Sequence, residues 1–181
     1  MRNVFVFHGV GGYPEENWFP WLKKEVEKSG IKVFIPQFPT PEGQTLENWM
    51  QVLGQYDELN QDSIVIGHSL GVPFLLNVIE NQPVKEAFLV SGFTGKADND
   101  FDDSMKTFAQ RIFNWEQIKR NCGRFCVFHS DNDPYIKIEK AKELSENLNS
   151  ELIEVKGAGH FNAKSGYDTF DLLLERLNGV L

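Results

Sequence analysis

Apolar and polar positions along the chain follow two rhythms in alternation. Short runs rich in Val, Ile and Phe, at residues 4–8, 32–35, 63–67, 86–91, 124–130 and 151–155, read as buried strands. Between them, residues 17–29, 46–59, 70–81, 136–147 and 167–177 carry helical spacing. Asn17 is placed to cap the first of these helices and Gly30 to stop it. About one helix per strand predicts an α/β class, with a mostly parallel central sheet covered on both faces, over an all-α bundle. One connection departs from the rhythm. Residues 94–121 open with the acidic run Lys96-Ala97-Asp98-Asn99-Asp100-Phe101-Asp102-Asp103 and turn helix-like over 105–113, with Trp115 following. This segment reads first as a solvated loop with a crossover helix, and second as a flap beside an active site. No linker or repeat interrupts the chain, so residues 1–181 read as one domain.

The most informative stretch is Ile64-Val65-Ile66-Gly67-His68-Ser69-Leu70-Gly71, followed by the apolar run Val72-Pro73-Phe74-Leu75-Leu76. A strand, then Gly-x-Ser-x-Gly, then a helix is the context a nucleophile elbow requires. The serine must take up a strained backbone so that its hydroxyl stands clear of the sheet. Gly67 and Gly71 lack the side chains that would collide across so sharp a turn. His68, inside the motif, is expected to pack behind the turn.

A serine hydroxyl needs a base within hydrogen-bond reach, and the base needs an orienting acid. In the chain order serine, acid, histidine, the acid should follow a later strand. Asp131-Asn132-Asp133-Pro134 closes the strand at 124–130, so Asp133 is the expected acid, with Asp131 as its competitor. His160 follows the last strand in Lys156-Gly157-Ala158-Gly159-His160-Phe161 and is the expected base. His129 lies inside a strand ahead of the acid, in the wrong order. A developing oxyanion needs fixed donors, each typically worth about 10²–10³ in rate. The backbone N–H of Leu70 is one candidate. The bend His8-Gly9-Val10-Gly11-Gly12 offers a second, the N–H of Val10. A phosphate-binding reading of this bend is weaker, because no Gly-Lys-Ser/Thr follows it and the spacing does not make Gly-x-Gly-x-x-Gly. Tyr13, Trp18, Phe38, Phe93 and Trp115 lie near strand ends or in the long connection, either as apolar pocket walls or as core.

Charge narrows the partners. Eighteen basic residues against 26 acidic ones give −8 and a sequence pI near 5.0, which disfavours nucleic acid and anionic membrane surfaces. No apolar run is long enough to span a bilayer, and no secretory h-region precedes the first strand, so a cytoplasmic location is expected. Cys122 and Cys126 are then expected to be reduced, and no ligand spacing suggests a metal.

Taken together, His8-Gly9, Trp18-Phe19-Pro20-Trp21-Leu22, Gly67-His68-Ser69-Leu70-Gly71, Val90-Ser91-Gly92-Phe93, Asp133-Pro134 and Gly159-His160-Phe161 resemble the YdeN-like serine hydrolases. That group includes the retinoblastoma-binding-protein-9-like enzymes. The resemblance runs over essentially the whole chain. It implies a compact α/β-hydrolase fold without a large cap domain, needing no cofactor, whose serine, aspartate and histidine match Ser69, Asp133 and His160. A retinoblastoma-binding role rests on a Leu-x-Cys-x-Glu motif, which neither cysteine occupies. The expected activity is hydrolysis of a small carboxylic ester or amide through an acyl-enzyme. Two other readings stay open: a non-catalytic protein-binding module on the same fold, and acyl transfer or perhydrolysis with the same three groups.

Overall fold

The computed structural model describes residues 2–181. Six strands form one sheet: β1 (Asn3–Phe7), β2 (Lys32–Phe34), β3 (Ile64–His68), β4 (Glu86–Val90), β5 (Phe125–Ser130) and β6 (Glu151–Val155). Every pairing is parallel, in the order β2-β1-β3-β4-β5-β6. Successive side chains of a strand point to opposite faces, which sorts the core into two layers. On one face Phe5, Phe7, Val65, Leu89 and Val127 meet α2 (Leu46–Leu53), α3 (Gly71–Asn81), α4 (Asp102–Ala109), α5 (Trp115–Asn121) and α6 (Ile138–Leu148). On the other, Val4, Val6, Ile64, Ile66, Phe88 and Phe128 meet α1 (Phe19–Glu27) and α7 (Asp171–Asn178). Burial on both faces explains why the central strands read as unbroken apolar runs.

The strand order reverses between β1 and β3. Chain connections leave in opposite directions there, opening a crevice at the carboxyl ends of the strands where ligands of such sheets bind. The bend after β1 and the Ser69 turn after β3 both lie at that crevice.

Several element ends differ from the expectation. Asn17 does not cap α1. It sits at φ 52°, and its Oδ1 accepts from the Ala163 N–H at 2.9 Å, tying the loop ahead of α1 to the segment after His160. Trp18 takes the cap position without a side-chain bond, and Pro20 supports the first turn. Helix α2 ends at Leu53, well short of residue 59. Helix α7 starts at Asp171, because Tyr167 and Phe170 instead pack against Phe161. The 94–121 connection holds two helices in place of one, α5 being capped by Asn114, whose side chain accepts from the Gln117 N–H. Its acidic run is tied down: Asp102 accepts from the amides of Ala97 and Asp98 at 2.7 and 3.1 Å. No helix among the described residues is long and apolar enough to cross a membrane.

Candidate active site

Ser69 stands between β3 and α3 at φ 56°, a left-handed conformation that is unusual for a residue with a side chain. Its N–H donates to the Val90 carbonyl at 2.9 Å, and its own carbonyl accepts from Val72 at 2.9 Å, so both neighbouring elements hold the turn. The flanking glycines are needed for contact reasons that differ. A methyl group on Gly67 would lie 2.7 Å from the Gly71 carbonyl oxygen, across the turn, whereas one on Gly71 would strike the main chain of Phe7 in β1. The β1 bend comes equally close, since a Cβ on Gly9 would sit 2.9 Å from that of Ser69.

The loop after β5 carries Asp133, and the loop after β6 carries His160. Their side chains meet at 2.8 Å, Nδ1 to Oδ2. The other carboxylate oxygen of Asp133 accepts the amides of Tyr135 and Ile136 at 2.9 and 3.1 Å. Burial resists ionisation of this carboxyl. The hydrogen bond from His160 and the two amides outweigh it and hold its pKa below the ordinary value. Asp131 is engaged elsewhere, accepting from the Gly157 N–H at 2.8 Å.

That contact belongs to a larger pattern. Ser130 Oγ accepts from the Ala158 N–H at 2.9 Å, and Asn132 Oδ1 from the Gly159 N–H at 2.8 Å. Four consecutive side chains, 130 to 133, therefore grip the four consecutive residues 157 to 160. The far side of the same loop is fixed from the other elements. His68 Nε2 lies 2.8 Å from the His160 carbonyl, to which it donates, and Trp18 Nε1–H donates to the Phe161 carbonyl at 3.0 Å. His68 is buried behind the turn, where desolvation, with the neighbouring His160 adding, pushes its pKa down to about 3. His129 is buried as well, its Nε2 at 2.9 Å from the Ile136 carbonyl, and burial lowers its pKa.

Ser69 and His160 line one cavity of about 430 Å³ together with Gly9 and Val10. The hydrogen bonds among the described residues include none between the Ser69 hydroxyl and His160. They also leave the N–H groups of Val10 and Leu70 without a protein acceptor.

Of the five aromatic residues considered as walls, Tyr13 alone lines this cavity. Trp18 is fully buried and edge-on to Phe19. Phe38 stacks on Trp49 at 4.5 Å between ring centres, and Phe93 is buried in the core. Trp115 packs on Phe113. Large rings near strand ends gain more from close packing in the core than from a wet wall. The walls come instead from Glu16, from Asn99, Phe101 and Met105, from Tyr135 and Ile136, and from Lys164. The 94–121 segment keeps the solvated loop and crossover helices of the first reading, and through Asn99, Phe101 and Met105 it also forms part of the cavity wall. Its Asn99 donates to the Tyr135 carbonyl at 3.1 Å, joining it to the loop that carries Asp133. Tyr135, directly after Asp133-Pro134, also sets its ring edge-on to His160 at 4.9 Å. That adjacency is the one sequence signal that could have found it.

A family model described as serine hydrolase matches residues 4–178. The chain belongs to this serine hydrolase family. It is 27% identical over 181 residues to YdeN of Bacillus subtilis (strain 168), which spans 97% of this chain and 94% of that protein. To serine hydrolase RBBP9 of Rattus norvegicus it is 26% identical over 175 residues, 96% of this chain and 94% of that one. The crystal structure of the B. subtilis ydeN gene product matches with a TM-score of 0.92 at 26% identity, over 99% and 98% of the two chains. An esterase domain from a Rhodothermus marinus protein shares the fold, with a TM-score of 0.69 at 17% identity over 98% and 85%. This serine hydrolase thus has the α/β-hydrolase fold.

Proposed function

We propose that this serine hydrolase cleaves small carboxylic esters or amides through an acyl-enzyme on Ser69, with His160 as general base and Asp133 as the orienting acid. The observation that carries the reading is the 2.8 Å Asp133–His160 hydrogen bond beside a strained serine that faces the same cavity as His160. With Nδ1 donating to Asp133, the neutral imidazole has its lone pair on Nε2, ready for a proton. Ser69 Oγ attacks the carbonyl carbon as its proton passes to Nε2, and the carbonyl oxygen takes up the negative charge. The unpaired N–H groups of Val10 and Leu70 are the donors for that oxyanion. His160 then protonates the departing alcohol or amine. Water, deprotonated in turn by His160, attacks the acyl-enzyme and releases the acid with Ser69 restored. The absence of a seated Ser69–His160 bond fits a site whose catalytic hydrogen bonds tighten when substrate enters.

A fluorophosphonate probe tests this reading. Wild type is expected to be labelled and to release p-nitrophenol from p-nitrophenyl acetate, and Ser69→Ala to do neither. A folded wild type that resists the probe would leave the fold as a binding module. Adding an alcohol and looking for the exchanged ester separates hydrolysis from acyl transfer.

A further inference from the structure

Glu16 is the one carboxylate among the described residues lining the cavity, and the mechanism above does not use it. It sits in the turn between β1 and α1, with its side chain folded over the glycine bend: a Cβ on Gly12 would lie 2.6 Å from Glu16 Oε1. No ion pair or side-chain hydrogen bond to another side chain reaches it from the described residues.

The groups around it do not neutralise it. His8 lies against the same glycine, but its Nε2 accepts the Phe38 N–H at 3.0 Å while Nδ1 donates to the Gly9 carbonyl at 2.8 Å. Only a neutral imidazole makes both bonds. His68 is likewise neutral, and His160 is committed to Asp133. Lys164 lines the cavity with an exposed side chain, and Tyr13 is half-exposed at the same rim. Burial pushes the Glu16 carboxyl up to about 7, with the Tyr13 backbone partly offsetting it. A carboxylate in that position gains from a cation arriving in the cavity.

The rest of the rim suits such a cation. Of the four large exposed hydrophobic residues in the described chain, Tyr13, Phe101 and Tyr135 line this cavity, and Ile112 alone does not. Aromatic faces attract ammonium groups and cover their apolar surroundings at once. We propose that Glu16 is a specificity-determining residue that selects ester or amide substrates bearing a cationic ammonium group beside an apolar body. This rests on the hydrolase reading and names its substrate class.

The test uses isosteric ester pairs that differ only in charge. Butyrylcholine against 3,3-dimethylbutyl butyrate places the charge in the leaving group. Ethyl 4-(trimethylammonio)butanoate against ethyl 5,5-dimethylhexanoate places it in the acyl part. For at least one pair, wild type at pH 8 is expected to favour the charged member about tenfold in kcat/KM, the weight of one charge-assisted contact. In Glu16→Gln the ratio should fall to within about twofold. Because the quaternary ammonium keeps its charge, the wild-type ratio should also climb between pH 6 and pH 8 as Glu16 ionises, and stay flat in Glu16→Gln. Taking a ratio cancels every group that both members need. Probe-labelled enzyme with no preference for the charged member in either pair overturns the proposal, as does a preference that survives in Glu16→Gln. Failure of the probe on wild type would instead count against the hydrolase reading beneath it.

Discussion

Replacing Asp133 with asparagine isolates what its charge does for His160. One oxygen of Asp133 accepts the Tyr135 and Ile136 amides, and the other meets His160 Nδ1 at 2.8 Å. Asparagine keeps the shape, and its single oxygen can go on accepting both amides. That choice turns the NH₂ toward His160. An NH₂ group only donates, so Nδ1 must become the acceptor and the ring proton must move to Nε2. In the proposed mechanism Nε2 is the nitrogen that takes the Ser69 proton. The imidazolium that this mechanism forms during attack also loses its carboxylate. For a serine triad of this arrangement the loss is about 10⁴ in kcat, or about 5.5 kcal/mol of transition-state stabilisation.

The comparison variant is Asp131→Asn. Asp131 accepts the Gly157 N–H at 2.8 Å, and asparagine retains that acceptor, so its kcat should stay within about threefold of wild type. Release of p-nitrophenol from p-nitrophenyl acetate gives kcat and KM for all three proteins, and thermal melts by circular dichroism confirm that each is folded. KM should change little for Asp133→Asn, since the carboxylate does not line the cavity. An Asp133→Asn enzyme keeping more than a tenth of wild-type kcat would refute the reasoning. So would an equal collapse in Asp131→Asn.

Two further outcomes follow from the packing around His160. His68 has a folded pKa near 3 against an ordinary 6.5, so below pH 6.5 the unfolded chain binds a proton that the folded one refuses. Stability should therefore fall as pH drops from 6.5 toward 3, by about 1.4 kcal/mol per unit from this residue. Urea titrations at pH 7.5 and pH 5 should show wild type losing about 2 kcal/mol more than His68→Gln, which does not titrate; equal losses would contradict the assignment. Asn132→Ala removes the acceptor for the Gly159 N–H and the Ser130 hydroxyl. It should cost about 1–2 kcal/mol in urea and, by loosening the loop that carries His160, lower kcat by up to about 100-fold; unchanged kcat would show that the loop holds itself.

How far the sequence could be read depended on whether a feature is local. The Ser69 turn is recognisable because its steric demand falls on residues two positions away, Gly67 and Gly71, although the contact that excludes a side chain at 71 comes from Phe7, a distant strand. The alternation of strands and helices is also local, and it is present in the structure with its expected two-faced sheet. Helix ends were less legible, because they depend on partners far along the chain. Asn17 has the chemistry of a cap and spends it on Ala163 instead.

The cavity was least legible, and Trp18 and Glu16 show why. They are two residues apart in the connection between β1 and α1, and apolar character alone picks Trp18 as the wall. Burying an indole of some 200 Å² is worth about 5 kcal/mol, and its N–H finds the Phe161 carbonyl, so Trp18 goes into the core. Glu16 cannot follow it into the core without losing the rest of its hydration, and it stays on the cavity wall. Folding therefore leaves for the cavity what the core rejects. The same logic recasts Asp131 and Asp133. In the sequence they compete for one role, whereas in the fold they are neighbours in one grip, Asp131 on the backbone of the loop and Asp133 on the imidazole it presents. A competition between two acids is what a cooperative clamp looks like when only one dimension of it is visible.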